Sequence, residues 1–434
     1  MKGLFINPPI YDFSAYDLWS KPLGFLKIID LFVKNGFEIF YFDFMDRNHD
    51  FYENVKVKKD KFGCGSYYYK IIEKPEIYKD VPRRYKRFGL PEEIFLKFLE
   101  DIKNIDFVFI TTGMTYWVLG LKEVIKTIKK KFGPIPIIIG GTYATFCYQD
   151  AENLEVDFVF KGKDIYRFVK DFSIKFGVDL KFPENIEPFW DVYKKLNYLV
   201  VKTSYGCPFS CWYCGIKQLE PEYKKVKIEK VVEEVIKNVE KFKVYDIAFY
   251  DDALLCDFEN HIYKILKKIY EQNKNINFHT PNGIHPKYIN KFVAEFLKET
   301  NFKTIRLSLE TTDEKRMLES GYKVNFYEFE NAIRNLISAG FSKEEIGVYI
   351  LVGLPKQTPA SVLNTIKILK NYPCKIKLAE YSPIPGTVDF QISKELYPEL
   401  LIENPFFQNN SIFPVWQFEN KWEIINLIKK QVKS

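Results

Sequence analysis

Thr203-Ser204-Tyr205-Gly206-Cys207-Pro208-Phe209-Ser210-Cys211-Trp212-Tyr213-Cys214-Gly215 places three cysteines within eight residues. The spacing is three residues, then two. With Gly206, Pro208, Ser210 and Gly215 around them, the thiolates can converge on one face of a tight loop. That geometry suits three corners of an iron–sulfur cube, whose fourth iron would stay open to a small molecule. A zinc knuckle is the alternative, but zinc wants a fourth Cys or His nearby. The closest, Cys256 and His261, stand far downstream.

Outward from this loop the sequence repeats strand then helix. Apolar runs at 198–203, 245–250, 276–280, 304–309, 346–352 and 376–381 read as six parallel strands. Between the first two, Ile228, Val231, Val232, Val235, Ile236 and Val239 recur at helical spacing, with Glu and Lys opposite. Six units are fewer than a closed eight-stranded barrel needs, so a partial (β/α)6 TIM-like barrel is expected, with its chemistry at the carboxyl ends of the strands. Those ends are polar: Asp251-Asp252, Thr280-Pro281-Asn282-Gly283, Ser308-Leu309-Glu310-Thr311 and Ser382-Pro383-Ile384-Pro385-Gly386-Thr387. Asp251 and Asp252 can take hydrogen bonds from an ammonium group, or one of them can cap a helix.

Toward the N-terminus the alternation predicts a doubly wound, Rossmann-like parallel α/β sheet. Strands are read at 4–6, 37–42, 106–110 and 135–139, and helices at 22–36 and 121–132. Ligands of such sheets lie beyond the carboxyl ends of the strands. The candidates there are Pro8-Pro9, Thr111-Thr112-Gly113-Met114-Thr115 and Gly140-Gly141-Thr142. Glycines let a planar group approach bare backbone, and threonines offer uncharged hydroxyls.

Residues 43–90 interrupt the pattern with an insertion rich in Tyr, Lys and Arg, including Arg83 and Arg84. It reads either as a lid whose arginines meet phosphate or carboxylate, or as a solvated basic surface. Cys64, between glycines, is either a reactive thiol or an inert buried one. The expected domains are therefore 1–170 with its insertion, a linker over 171–197, the barrel over 198–388 and a C-terminal cap over 389–434.

At 434 residues, 47% hydrophobic and 17% aromatic, the chain is globular. Its net charge of +7 comes from 64 basic and 57 acidic residues that largely compensate, so nucleic-acid binding is not signalled. No stretch approaches the roughly 20 apolar residues of a bilayer span. Three clustered and four scattered cysteines are no disulfide framework, and a cytoplasmic location is expected.

The cysteine loop resembles the signature of the radical S-adenosylmethionine (SAM) superfamily. The resemblance implies that Cys207, Cys211 and Cys214 hold three irons of a 4Fe-4S cluster, that SAM chelates the fourth, and that Tyr213 lies against the adenine. Asp251-Asp252 is similar to the family's SAM amino-group motif, and Ser308 and Glu310 to the element that meets the SAM ribose or carboxylate. Asn282 joins these contacts. Gly353-Leu354-Pro355-Lys356-Gln357-Thr358 is similar to the family's Gly-Leu-Pro-Gly-Glu-Thr, with Gln357 in place of the acid, and Pro385-Gly386-Thr387 resembles its closing Pro-Gly-Thr.

The N-terminal half resembles the cobalamin-binding domain that precedes many radical SAM enzymes. This implies cobalamin contacts at Thr112, Gly113, Gly140, Gly141 and Thr142. Two departures stand out: no Asp-x-His-x-x-Gly follows the first strand, and Lys163-Asp164 replaces an acidic pair.

The resemblance implies one-electron cleavage of SAM to a 5′-deoxyadenosyl radical, fed by an external flavodoxin- or ferredoxin-like donor. With cobalamin, it implies methyl transfer to an unactivated carbon or phosphorus of a small-molecule or anionic substrate. The alternatives are a cobalamin-independent radical enzyme with a degenerate first domain and a non-catalytic metal protein that binds RNA.

Overall fold

A computed structural model describes residues 1–319 and 324–433. The chain divides into two compact units. One is Met1–Asn197 with Glu403–Asn409, and the other is Tyr198–Ile402 with the residues from Asn410 onward.

The first unit is built on five parallel strands, β1 (Lys2–Asn7), β2 (Glu38–Asp43), β3 (Phe107–Thr112), β4 (Ile137–Gly141) and β5 (Phe158–Phe160), in the order β5-β4-β3-β1-β2. This is the flavodoxin-like arrangement, with its switch point between β1 and β3. Leu4, Phe5 and Ile6 are all buried, as are Val108, Phe109 and Ile110, because helices cover both faces. On one face Phe5 stacks on Phe109 with centroids 4.5 Å apart, and Phe32 and Phe172 join them from helices Leu23–Lys34 and Ile165–Phe176. On the other, Leu4, Ile6, Val108 and Ile110 meet Leu121, Val124 and Ile128 of helix Val118–Phe132. Each such side chain contributes about 1.5–3 kcal/mol by leaving water.

The insertion is ordered. Tyr69–Ile72 and Tyr85–Phe88 pair antiparallel, and Ile10–Asp12 adds a third strand. The buried guanidinium of Arg47 holds the Gly63–Ser66 turn, donating to Gly63 O, Ser66 O and Asp17 Oδ2. Arg87 grips Glu123 of helix Val118–Phe132 through two short bonds (2.7 and 2.9 Å), and Tyr11 donates to the same carboxylate. Cys64 is fully buried and burial pushes its thiol pKa up, which makes it the inert cysteine of the two readings.

Much of the 171–197 stretch packs on this unit. Helix Ile165–Phe176 runs into it, and the Tyr193 hydroxyl donates to Asp43 Oδ2 at 2.6 Å. Residues Glu403–Asn409 also belong here. Their short helix Pro405–Gln408 lies beside Thr115–Trp117, Asn409 Nδ2 donates to Asp12 Oδ1 (3.0 Å), and the Tyr78 hydroxyl donates to Phe406 O (2.8 Å).

The second unit carries six parallel strands in sequential order: β6 (Leu199–Val201), β7 (Asp246–Phe249), β8 (Asn277–His279), β9 (Phe302–Glu310), β10 (Ile346–Val352) and β11 (Lys375–Glu380). This is the partial barrel. Helix Ile228–Phe242 turns Val231, Val232, Val235 and Val239 inward, as its periodicity predicts. Among the described residues no helix is long and apolar enough to cross a membrane.

Candidate cofactor site at the barrel strand ends

The cysteine loop hangs from a two-stranded hairpin, Ser204–Tyr205 with Lys224–Lys225, at the carboxyl end of β6. Gly206 starts the loop with φ +71°, and a Cβ there would lie 2.3 Å from Glu222 O, so only glycine closes this hairpin. Cys214 N–H donates to Cys211 O (3.1 Å), turning the last two cysteines over one bend. None of the three is in a disulfide; Cys207 is buried, while Cys211 and Cys214 are half-buried.

Among the described residues, no three His, Cys, Asp or Glu side chains are gathered as ligands of one ion. A cube takes one thiolate on each of three separate irons, so its cysteines stand farther apart than the ligands of one ion, and three thiols on a tight exposed-edged loop fit it.

Asp251, at the end of β7, is buried beneath the start of this loop. It accepts from Thr203 N (3.0 and 3.1 Å), Thr203 Oγ1 (2.7 Å) and Ser204 Oγ (2.6 Å). Burial raises its pKa, and these donors oppose the shift. Its hydrogen bonds are thus turned inward, anchoring the loop. His261 Nε2 meets Thr203 O at 2.9 Å. Asp252 points elsewhere, pairing with Lys202 at 2.9 Å while keeping about a quarter of its side chain exposed. Asn282 is exposed and donates to the main-chain carbonyls of Tyr250 and Asp251, lacing the end of β7 to that of β8.

Ser308 is buried under Gly283, where a Cβ would meet its hydroxyl at 2.1 Å. Between Ser308 and Glu310 the pairing of β9 with β10 slips, and Glu310 takes φ +73°. A glutamate in the left-handed region is uncommon, and such strain gathers at functional positions. The Tyr213 hydroxyl is hydrogen-bonded to Glu310, and its pKa is raised well above the usual value by burial first, then by the glutamate charge and the neighbouring Cys211 and Cys214. Its ring packs against Leu351, Leu354, Tyr381 and Val415. Tyr213, Glu310 and the cysteine loop therefore share one corner of the strand ends.

Two motifs gain a physical reason. Gln357 Oε1 accepts from Gly353 N and Leu354 N while its Nε2 donates to Leu351 O. A carboxylate could not make the last bond. In the Pro-Gly-Thr close, Thr387 caps helix Val388–Leu396, and Asp389 N–H donates to Trp212 O (3.1 Å) inside the cysteine loop. The motif is a clasp on that loop. Asp389 is also ion-paired, fully buried, with Arg316. Sequence reading passed over this pair and the donors of Thr203 and Ser204, whose partners lie tens of residues away.

In the first unit the predicted cofactor residues are largely engaged by their own fold. Thr112 Oγ1 donates to Gly140 O (2.9 Å) and accepts from Ala144 N (3.2 Å). A Cβ on Gly113 would strike Trp117 at 2.7 Å, and one on Gly141 would strike Thr112 O at 2.4 Å. Gly120 packs on Pro9, where a Cβ would fall 1.8 Å from its carbonyl, so helix Val118–Phe132 fills part of the switch-point crevice. Bare backbone remains at Gly140, whose nearest neighbour would be 3.8 Å from a Cβ, and at Gly162, which faces open space. Thr142, half-buried, starts the short helix beside them. His49, the one histidine of this unit, is spent capping a 3-10 turn through Phe51 N. The backbone at Gly140 and Gly162 leaves room for a flat group beside Thr142.

The family model described as the radical SAM superfamily matches residues 201–369, from β6 through the helix after β10. The chain carries a radical SAM domain. A 4Fe-4S cluster and SAM are the cofactors that such a domain uses.

Among solved structures, the radical SAM methyltransferase TsrM from Kitasatospora setae, with tryptophan and a SAM analogue bound, superposes with a TM-score of 0.66 at 12% identity. The match covers 91% of this chain and 76% of that one. The cobalamin-dependent SAM radical enzyme OxsB gives 0.55 at 10% identity, over 94% and 57%. At these identities the likeness is one of fold, and it extends over both units. An uncharacterized methyltransferase of Pyrococcus horikoshii, PH0819, is 26% identical over 192 residues, which are 43% of this chain and 40% of that protein. The match thus spans about two fifths of the curated relative's length.

Proposed function

We propose that this chain is a cobalamin-dependent radical SAM methyltransferase acting on an unactivated carbon or phosphorus of a small molecule. The observation that carries the reading is the joining, in one chain, of a flavodoxin-order sheet with bare glycine turns to a barrel whose first strand leads into the three-cysteine loop. The likeness of both parts to TsrM supports it.

When bound, the reduced cluster supplies an electron to the SAM sulfonium, and cobalamin supplies methyl-group transfer. The chain's residues hold and orient. Cys207, Cys211 and Cys214 are the cluster ligands, with Asp251 fixing the loop that bears them. Tyr213 and Glu310 would offer a ring face and a carboxylate to the adenosyl part of SAM, with Ser308 two residues earlier on the same strand. Asp252 and Asn282 stand at the strand ends for the amino acid part. Gly140 and Thr142 would border a corrin in the first unit, with Thr112, Gly113 and Gly141 packed into the turns that shape that rim. An external flavodoxin- or ferredoxin-like protein is the electron donor in this reading.

Anaerobic reconstitution tests this. Iron, sulfide and corrinoid absorbance are expected together after loading with hydroxocobalamin, and Cys211→Ala is expected to abolish reductive SAM cleavage. Continued 5′-deoxyadenosine formation by that variant would refute the assignment. One observation favours a second reading: Pro9, Gly120 and Trp117 fill the switch-point crevice. A cobalamin-independent radical SAM enzyme would load the cluster and cleave SAM yet take up no corrinoid.

A further inference from the structure

The antiparallel sheet of the insertion borders a concave pocket of about 420 Å³ that none of the cofactors above uses. Phe13, Tyr69 and Ile71 form its apolar side. Arg83, Arg84 and Lys86 supply its polar side together with Ser14, and no carboxylate is among the lining residues. Cross-strand pairing sets this composition: Ile71 stands opposite Lys86, and Tyr69 lies one pleat along the same face. Lys86 Nζ sits 4.3 Å from the Tyr69 ring centroid, and the Arg83 guanidinium 5.5 Å from that of Phe13. The cations are thus drawn over aromatic faces at the pocket edge. Tyr69 and Ile71 stay 46% and 49% exposed, a large apolar surface to leave beside three positive charges.

We propose that this pocket binds a small organic phosphate, a dianionic head joined to a ring or similarly flat apolar body. Arg83, Arg84 and Lys86 put three cations around one pocket, which a dianion can meet while the guanidinium forks bond its oxygens. The exposed Tyr69 and Ile71 take the flat body, as apolar walls do in ligand pockets of this size. A nucleic-acid backbone would need the positive charge to continue as a stripe. Here the connection between the two strands carries Glu73, Glu76 and Asp80, which interrupts it. The proposal is independent of the radical chemistry.

Calorimetric titration of the full chain, with and without reconstituted cluster, tests it with phenyl phosphate, inorganic phosphate and phenol. Phenyl phosphate is expected to saturate one site about tenfold more tightly than inorganic phosphate, with no binding of phenol. Arg84→Ala, at an exposed position that folding does not need, and the double variant Arg84→Ala/Lys86→Ala are expected to weaken phenyl phosphate progressively, to about tenfold or more in the double. Tyr69→Ala is expected to erase the preference over inorganic phosphate, and Lys56→Ala to change nothing. Equal affinity for phenyl phosphate and inorganic phosphate, unaltered binding in the double variant, or binding of an RNA oligonucleotide without binding of phenyl phosphate would overturn the proposal. A cluster that fails to cleave SAM leaves these heats unaffected, so the two readings fail separately.

Discussion

Asp251 sits under the cysteine loop with every donor it meets supplied by Thr203 and Ser204. Asp251→Asn turns an amide N–H toward the Thr203 N–H, leaving donors face to face in a buried place. A loss of about 1–3 kcal/mol in urea unfolding is expected, along with iron content well below that of the parent protein. Asp252→Asn, which removes only a partly exposed ion pair with Lys202, is expected to keep its iron. Lys421 offers a pH test. Burial lowers its ammonium from 10.5 to about 8, so between those values the unfolded chain binds more protons than the folded one. Stability therefore rises with pH across that window, by about 1–3 kcal/mol relative to Lys421→Met, which lacks the rise. Urea midpoints of both proteins from pH 7 to 10.5 measure it. Sequence could name Asp251 as a polar strand-end residue, because an apolar run leads into it. It could not assign its partners, since a carboxylate that anchors a loop and one that meets a ligand look alike until distant donors are placed around it.

Among elements, the hairpin that frames the cysteine loop has the least freedom. Gly206→Ala puts a Cβ onto Glu222 O at a backbone angle that alanine resists. The expected protein folds, with far-ultraviolet circular dichroism unchanged, but reconstitutes little iron or sulfide. Gln357→Glu is a milder test: it loses the bond to Leu351 O and places a charge against that carbonyl, for an expected cost of about 1–3 kcal/mol in thermal or urea unfolding. The large elements were legible because their apolar residues recur with periods the backbone dictates, as in helix Ile228–Phe242. The small sheet of the insertion was not. Ile10–Asp12 pairs with Tyr85–Phe88 across some seventy residues, and short strands carrying Tyr, Lys and Arg on their outer face have no distinctive period.

For the whole molecule, the informative residues are Glu403–Asn409. The tail read as a cap, yet this segment completes the first unit, with Asn409 bonded to Asp12 across 397 positions of sequence. No local pattern announces such a contact, because its partners are a single amide and a single carboxylate. Asn409→Leu removes a donor from buried Asp12, whose pKa burial already raises. The expected result is faster amide hydrogen exchange in Ile10–Asp12 and Thr115–Trp117, with exchange in β7 to β10 unchanged.

That short segment also orders events during synthesis. A ribosome moving from the amino end delivers the five-stranded sheet early, but Asp12 and Tyr78 wait for their partners until residue 409 has cleared the exit tunnel. Domains usually settle in the order in which they emerge. Here the first unit to appear is finished only when nearly the whole chain has been made, so any group that needs the finished unit arrives after the three cysteines have already been made.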